Sequence, residues 1–263
     1  MSLNLPELTS KVRRLATETG RFIRQERRGF SRVRVERKHA HDYVSYVDRE
    51  SERRIVSGLK ELLPEAGFIA DEGSMGFNGE PYCWVVDPLD GTTNFIHDNA
   101  PYCVSIALRD RNEILLGVVY EICRDECLWT HKGAPSYRDE EVIHVSDVSS
   151  ADDAFLALGL PYDAETYKPV FQKLIAGVYG NVAGTRVVGA AAAEMCYVAC
   201  GRFDARAEAF LGPWDVAAGI LIVKNAGGRV TDFSGGNDCE SGQEVVASNG
   251  KIHDFLLKML EKN

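Results

Sequence analysis

The sequence predicts an α+β chain that becomes more α/β in its second half. Three observations carry this reading: an amphipathic opening, a run of strand-like segments with short connections, and a later alternation of strands and helices. Leu5, Leu8, Val12, Leu15, Phe22 and Ile23 follow helical spacing, so the first thirty or so residues read as a helix. Residues 33–47 read as one or two short strands around a turn holding His39 and His41, with a surface role expected for both histidines. A second helix runs from Asp48 through Ile55, Leu59 and Leu62 and stops near Pro64. Phe68-Ile69-Ala70 is a short strand delivering Asp71 and Glu72. The apolar run 82–86 reads as a buried strand, and strands follow at 103–108, 114–120 and 127–130. Their short connections suggest antiparallel hairpins, with one more strand at 142–145. Beyond it come strand 155–158, helix 167–178, strand 182–187, helix 190–200, strand 203–207 and helix 214–225. Strands 229–231 and 244–248 and helix 252–260 complete the chain.

At 263 residues, one domain with two lobes or two small domains are both plausible. Residues 147–153 are the best seam, giving an N-terminal lobe over 1–150 and a C-terminal lobe over 151–263 that form one catalytic unit. Hydrophobic content is 45%, and no apolar stretch is long enough to span a bilayer. The first residues lack the basic region and apolar run of a signal peptide, and seven cysteines lack a zinc spacing. Reduced thiols in a cytoplasmic protein are therefore expected. A net charge of −9 argues against a general nucleic-acid binder. Arginines nevertheless crowd the segment 13–54, among them Arg24, Arg27, Arg28, Arg32, Arg34 and Arg37. They read as a solvated face, or as a basic apron attracting an anionic substrate or a lipid surface by peripheral contact.

Asp87-Pro88-Leu89-Asp90-Gly91-Thr92-Thr93 carries the most chemistry. Pro88 fixes φ and Gly91 frees it, so a tight turn would bring Asp87 and Asp90 together at a strand end. Converging hard oxygens suit Mg²⁺ beside a phosphate, although Asp-Pro and Asp-Gly are also common surface-turn pairs. Residues 91–96 look like a helix entrance whose amides at Gly91, Thr92 and Thr93 could cradle a phosphate; Thr93 and Asn94 could equally be simple caps. Pro213-Trp214-Asp215 opens a helix with Asp215 in its first turn, either a cap or a third ligand. Gly227-Gly228 ends that helix. Neither a Gly-x-Ser-x-Gly nor a Cys-x₅-Arg nucleophile motif is present, so direct attack by water is the simpler hydrolytic route.

Together these residues resemble the inositol monophosphatase family of metal-dependent, lithium-sensitive phosphatases. Residues 84–95 look like its WxxDPxDGTxNF signature and 213–219 like its WDxAAG signature, in the right order and at a suitable distance. The resemblance covers nearly the whole chain. It implies the layered αβαβα sugar-phosphatase fold, with a mainly antiparallel sheet in the first lobe and a smaller α/β second lobe. It further implies two to three Mg²⁺ ions. Asp71, Asp87 and the Leu89 carbonyl would hold the first, Asp87, Asp90 and Asp215 the second, and Asp71 would help with a weaker third. Thr92 and Asp48 would orient the nucleophilic water, with the Gly91 and Thr92 amides on the phosphate. Asp90, Ala191, Glu208 and Asp215 would face the alcohol, Lys38 would lie near the phosphate, and a homodimer is expected.

Two departures stand out. Asp71-Glu72 replaces the family's Glu-Glu, so either Asp71 reaches through water or Glu72 shares the ligand role. Glu194 stands where a smaller neutral residue is expected, which alters the alcohol pocket. The leading expectation is hydrolysis of inositol monophosphate. Fructose 1,6-bisphosphate, a nucleotide 3′-phosphate or a phosphoinositide head group are alternatives within the superfamily. A degenerate binding or scaffold protein is the alternative of another class.

Overall fold

The computed structural model of the chain describes residues 3–31, 35–39, 42–73, 77–240 and 243–261. Arg32, Arg34 and His41 lie outside the described residues, as do the side chains of Arg37, Lys38 and His39. The opening helix α1 (Leu5–Arg28) starts with Pro6 in its first turn and the Asn4 side chain accepting from the Glu7 amide. A hairpin of β1 (Val35–His39) and β2 (Asp42–Ser45) leads into α2 (Tyr46–Leu62). Helix α2 begins two residues earlier than expected because Ser45 and Asp48 form a reciprocal capping box.

A seven-stranded sheet follows in chain order: β3 (Ala66–Ala70), β4 (Tyr82–Asp90), β5 (Cys103–Arg109), β6 (Ile114–Glu121), β7 (Glu126–His131), β8 (Tyr137–Arg138) and β9 (Glu141–Val142). Among the described residues of this sheet, only β3 and β4 pair in parallel. The strand expected at 142–145 stops at Val142, because the Ile143 amide turns to Ser136 O and the Val145 amide to Ala226 O. The second sheet has the order β11 (Gly184–Arg186), β10 (Phe155–Leu158), β12 (Ala205–Ala209), β14 (Glu244–Ser248), β13 (Arg229–Thr231). Its first three strands run parallel and the rest antiparallel. A short helix α3 (Thr92–His97) follows β4, and α4 (Ala164–Val178), α5 (Ala191–Ala199), α6 (Pro213–Asn225) and α7 (His253–Leu260) complete the fold.

Alternation along the strands builds the layers. Trp84 and Val86 of β4 and Val104, Ile106 and Leu108 of β5 pack with α1 and α2. Cys83, Val85, Cys103 and Ala107 face the other way, onto α5 and α6. Helices α5 and α6 thus fill the space between the two sheets, while α4 and α7 cover the outer face of the second. The result is the αβαβα sandwich. Helix α6 lies tight on the sheet: a Cβ on Gly117 would stand 2.7 Å from Ala218 O and 3.0 Å from Ala218 Cα. Backbone cannot step aside as a side chain can, so Gly117→Ala should cost about 1–3 kcal/mol in a denaturant titration. Gly227, at φ +90, ends α6 in a Schellman pair, with Gly228 N–H on Val223 O and Gly227 N–H on Lys224 O.

His253 gives the fold a pH dependence. It is buried between Thr231 Oγ1 (2.9 Å) and Ser248 Oγ (2.8 Å), and burial pulls its pKa down to about 4. The unfolded chain takes up this proton first, so the His253 contribution is complete above about pH 6.5 and is lost as the pH falls toward 4. Stability of His253→Gln, measured by denaturant titration across that interval, should fall less with acid than that of the parent.

Candidate active site

Asp87 and Asp90 lie on a strand, and the turn expected there is a bulge. Asp87 pairs with Ser105 and Asp90 with Cys103, so three steps along β4 oppose two along β5. Residues three apart on a regular strand face opposite sides, and the extra residue restores both carboxylates to one side. That side is the one carrying Val85 and Cys103, toward α5 and α6. Leu89 falls on the opposite face, in the core under α1 and α2. Its amide donates to Asp87 Oδ1 at 2.9 Å, which fixes the first carboxylate.

Asp90 is fixed from across the sandwich. Helix α5 has no capping side chain of its own, and Asp90 supplies one: the Ala191 and Ala192 amides donate to its two oxygens at 3.1 and 2.9 Å. Cys103 Sγ donates to it as well, at 3.2 Å. Asp215, third residue of α6, takes the Gly212 amide at 2.6 Å. Oxygens of Asp87, Asp90 and Asp215 come within 4.8 Å of one another. Burial, with repulsion from Asp71, Asp90 and Asp215, drives the Asp87 carboxyl well above its ordinary range. Burial likewise pushes Asp90 up to about 6, and burial together with Asp90 raises Asp215.

Three carboxylates this close, Asp87 and Asp90 buried and Asp215 half-buried, repel one another unless protons or a cation intervene. Hard oxygens in a dry corner fit Mg²⁺. Asp71, whose amide pairs with Val86 O at the end of β3, lies close enough to act electrostatically on Asp87 and Asp215, but outside the tight trio. Glu72 acts electrostatically on Arg49. Its amide is anchored at 2.9 Å by Glu52, a buried carboxylate of α2 that sequence reasoning missed.

Thr92 Oγ1 lies 2.8 Å from Asp48 Oδ1 and 2.9 Å from Leu89 O. Asp48 Oδ2 in turn accepts from the Ser45 amide and hydroxyl at 2.9 and 2.6 Å, and burial raises its pKa. The Ser45-x-x-Asp48 spacing was the legible signal for that support. Gly91 sits at φ +85, and a Cβ there would meet Pro101 O at 3.0 Å and Ala190 Cβ at 3.1 Å. Asn94 caps nothing; its Nδ2 bridges Pro101 O and Val188 O at 2.8 and 2.9 Å. Glu208 follows on β12 with Arg206 Nη2 on its Oε2. A cavity of about 340 Å³ lined by Phe77, Tyr82, Arg109 and Arg111 includes none of these carboxylates.

The inositol monophosphatase family model matches residues 4–263. The chain belongs to the inositol monophosphatase family. An inositol-1-monophosphatase of Mesorhizobium japonicum is 35% identical over 94% of this chain and 93% of its own. The Nus factor SuhB of Vibrio cholerae is 34% identical over 95% and 94%. The crystal structure of extragenic suppressor protein suhB from Bartonella henselae superposes with a TM-score of 0.90 at 34% identity, covering 95% and 96%. This chain's fold, with two mixed sheets and, among the described residues, seven α-helices, matches that structure. Among the described residues of this family member, no helix is long and apolar enough to cross a membrane. Among the described residues of its basic stretch, Arg13 pairs with Glu140, Arg24 with Asp125, Arg27 with Asp98, Arg49 with Glu36, and Arg53 and Arg54 with Glu50.

Proposed function

We propose that the chain is a Mg²⁺-dependent phosphate monoesterase whose substrate is the monophosphate of a small polyhydroxy alcohol, inositol monophosphate first. The observation that carries this is the trio Asp87, Asp90 and Asp215, converging within 4.8 Å beside the hydrogen-bonded pair Thr92 and Asp48. Asp71, Asp87, the Leu89 carbonyl, Asp90 and Asp215 would hold the ions. Bound Mg²⁺ neutralises phosphate charge and lowers the pKa of water.

The remaining work belongs to the protein. Asp48 is held by Ser45 and its raised pKa makes it a better base than a solvated carboxylate. The single Thr92 hydrogen points to Asp48 or to Leu89 O, leaving lone pairs on Oγ1 to orient a water. The Gly91 and Thr92 amides would take phosphate oxygens. Ala191, Glu208 and Asp215 would face the alcohol. With water placed in line, no covalent nucleophile is needed.

The test is phosphate release from inositol 1-phosphate with and without Mg²⁺ and Li⁺, beside fructose 1,6-bisphosphate, a nucleotide 3′-phosphate and a soluble phosphoinositide head group. No Mg²⁺-dependent turnover of any monoester would overturn the assignment. A second reading, a binding role held with or without hydrolysis, is favoured by the relative named as a Nus factor. The net charge of −9 weighs against direct nucleic-acid contact, and an RNA-binding assay on the same preparation separates the two. The proposal also carries a cytoplasmic homodimer, checked by light scattering and fractionation.

A further inference from the structure

Beside the carboxylate trio lies a buried charge cluster of which the chemistry above uses Glu208 alone, leaving Arg206 and Glu194 without a role. Arg206 of β12 has no exposed surface. Its Nε donates to Glu194 Oε2 at 3.3 Å, and its Nη2 to Glu208 Oε2. Glu194, equally buried, takes the Gly189 amide on its other oxygen at 2.9 Å, in the turn that opens α5. The same helix start holds Asp90. Glu208 is the one member of the cluster that reaches solvent, with 17% of its side chain exposed. It stands close enough to Asp90 and Asp215 to act on both electrostatically.

The second observation is the floor beneath it. β10 and β12 run parallel, with Leu158 opposite Ala207, and the Gly159 amide donates to Ala207 O at 3.0 Å. A Cβ on Gly159 would overlap the Glu208 carboxylate. The carboxylate therefore occupies the space that a side chain at residue 159 would fill.

We infer that Arg206 and Gly159 are positioning residues that hold the Glu208 carboxylate against the carboxylate trio as a fixed acceptor for the hydroxyl groups of the leaving alcohol. The inference rests on the phosphatase reading and deepens it. Arg206 engages Oε2, which leaves Oε1 to accept from a substrate hydroxyl. The one guanidinium of the cluster is already engaged by two glutamates, which suits a neutral, hydroxyl-rich alcohol and disfavours a second anionic group. Substrate choice follows. Polyol monophosphates are favoured over esters whose alcohol lacks hydroxyls, because an unfilled, desolvated acceptor is costly.

The experiment compares the parent with Gly159→Ala and Arg206→Lys on inositol 1-phosphate and on p-nitrophenyl phosphate, whose leaving group has no further hydroxyl. Gly159→Ala displaces the carboxylate while keeping every charge; Arg206→Lys keeps the charge but not the fork that grips both glutamates. Each variant should lower the ratio of kcat/KM for the polyol ester to that for the aryl ester by at least about tenfold, mostly through KM. Calorimetric Mg²⁺ affinity should stay within about threefold of the parent. A purely structural role lowers both activities together and leaves the ratio unchanged, which overturns the inference. A large fall in Mg²⁺ affinity overturns it too. A parent inactive on both esters removes the phosphatase reading itself, an outcome distinct from either.

Discussion

Asp90→Asn should give a folded protein whose turnover of inositol 1-phosphate falls by at least about a thousandfold at saturating Mg²⁺. The substitution is nearly isosteric, so the capping of α5 is only partly lost. The asparagine carbonyl still accepts from one of the Ala191 and Ala192 amides, and a single lost hydrogen bond costs about 0.5–1.5 kcal/mol. Removing one of three crowded carboxylates offsets that cost in the metal-free protein. Thermal unfolding without Mg²⁺ should therefore place the variant near the parent. Turnover should not follow, because the neutral amide offers a divalent ion one carbonyl oxygen in place of a charged carboxylate. Near-normal phosphate release by the variant would remove Asp90 from the machinery.

Chelation is the second large effect. Stripping divalent ions should abolish turnover and lower the melting temperature, and returning Mg²⁺ should reverse both. An ion held at a hundred times its dissociation constant stabilises the native state by about 2.7 kcal/mol, or roughly 5–10 °C for a chain of this size. Scanning calorimetry reads this shift without reference to activity. In Asp90→Asn the Mg²⁺-induced shift should shrink, and a parent whose melting temperature ignores Mg²⁺ would contradict the ligand set.

Much of this was legible in the sequence, and the reasons differ by residue. The strands that build the central sheet are buried on both faces, so they read as apolar runs such as 82–86 and 103–108. Pro213 and Asp215 announced the start of α6 because a proline at the first turn and an acid at the third are local signals. The bulge at Asp87–Asp90 was not legible, since Asp-Pro and Gly carry the same signals in a turn as in a bulged strand, and only the pairing with β5 decides. Asp90 as the cap of α5 and Arg206 as the link between Glu194 and Glu208 depend on contacts across the sandwich. In the sequence, Glu194 stands out only as a misfit to the resemblance. Its partner, a buried arginine of β12, supplies the reason that it is tolerated. The end of β9 is not legible, because Ile143 and Val145 suit a strand, whereas their amides brace other parts of the chain.

The cap that Asp90 places on α5 joins residues about a hundred positions apart. During synthesis the strand bearing Asp87 and Asp90 emerges well before the helices bearing its partners. Until residues 191–193 and Asp215 arrive, those acids lack the amides and the third carboxylate that complete the cluster. Catalytic competence is thus a certificate of finished assembly: a ribosome-bound fragment ending near residue 180 should be inert however well its first sheet has formed. Activity appearing during refolding would then report the docking of the two sheets through α5 and α6, a clock set by topology rather than by chemistry.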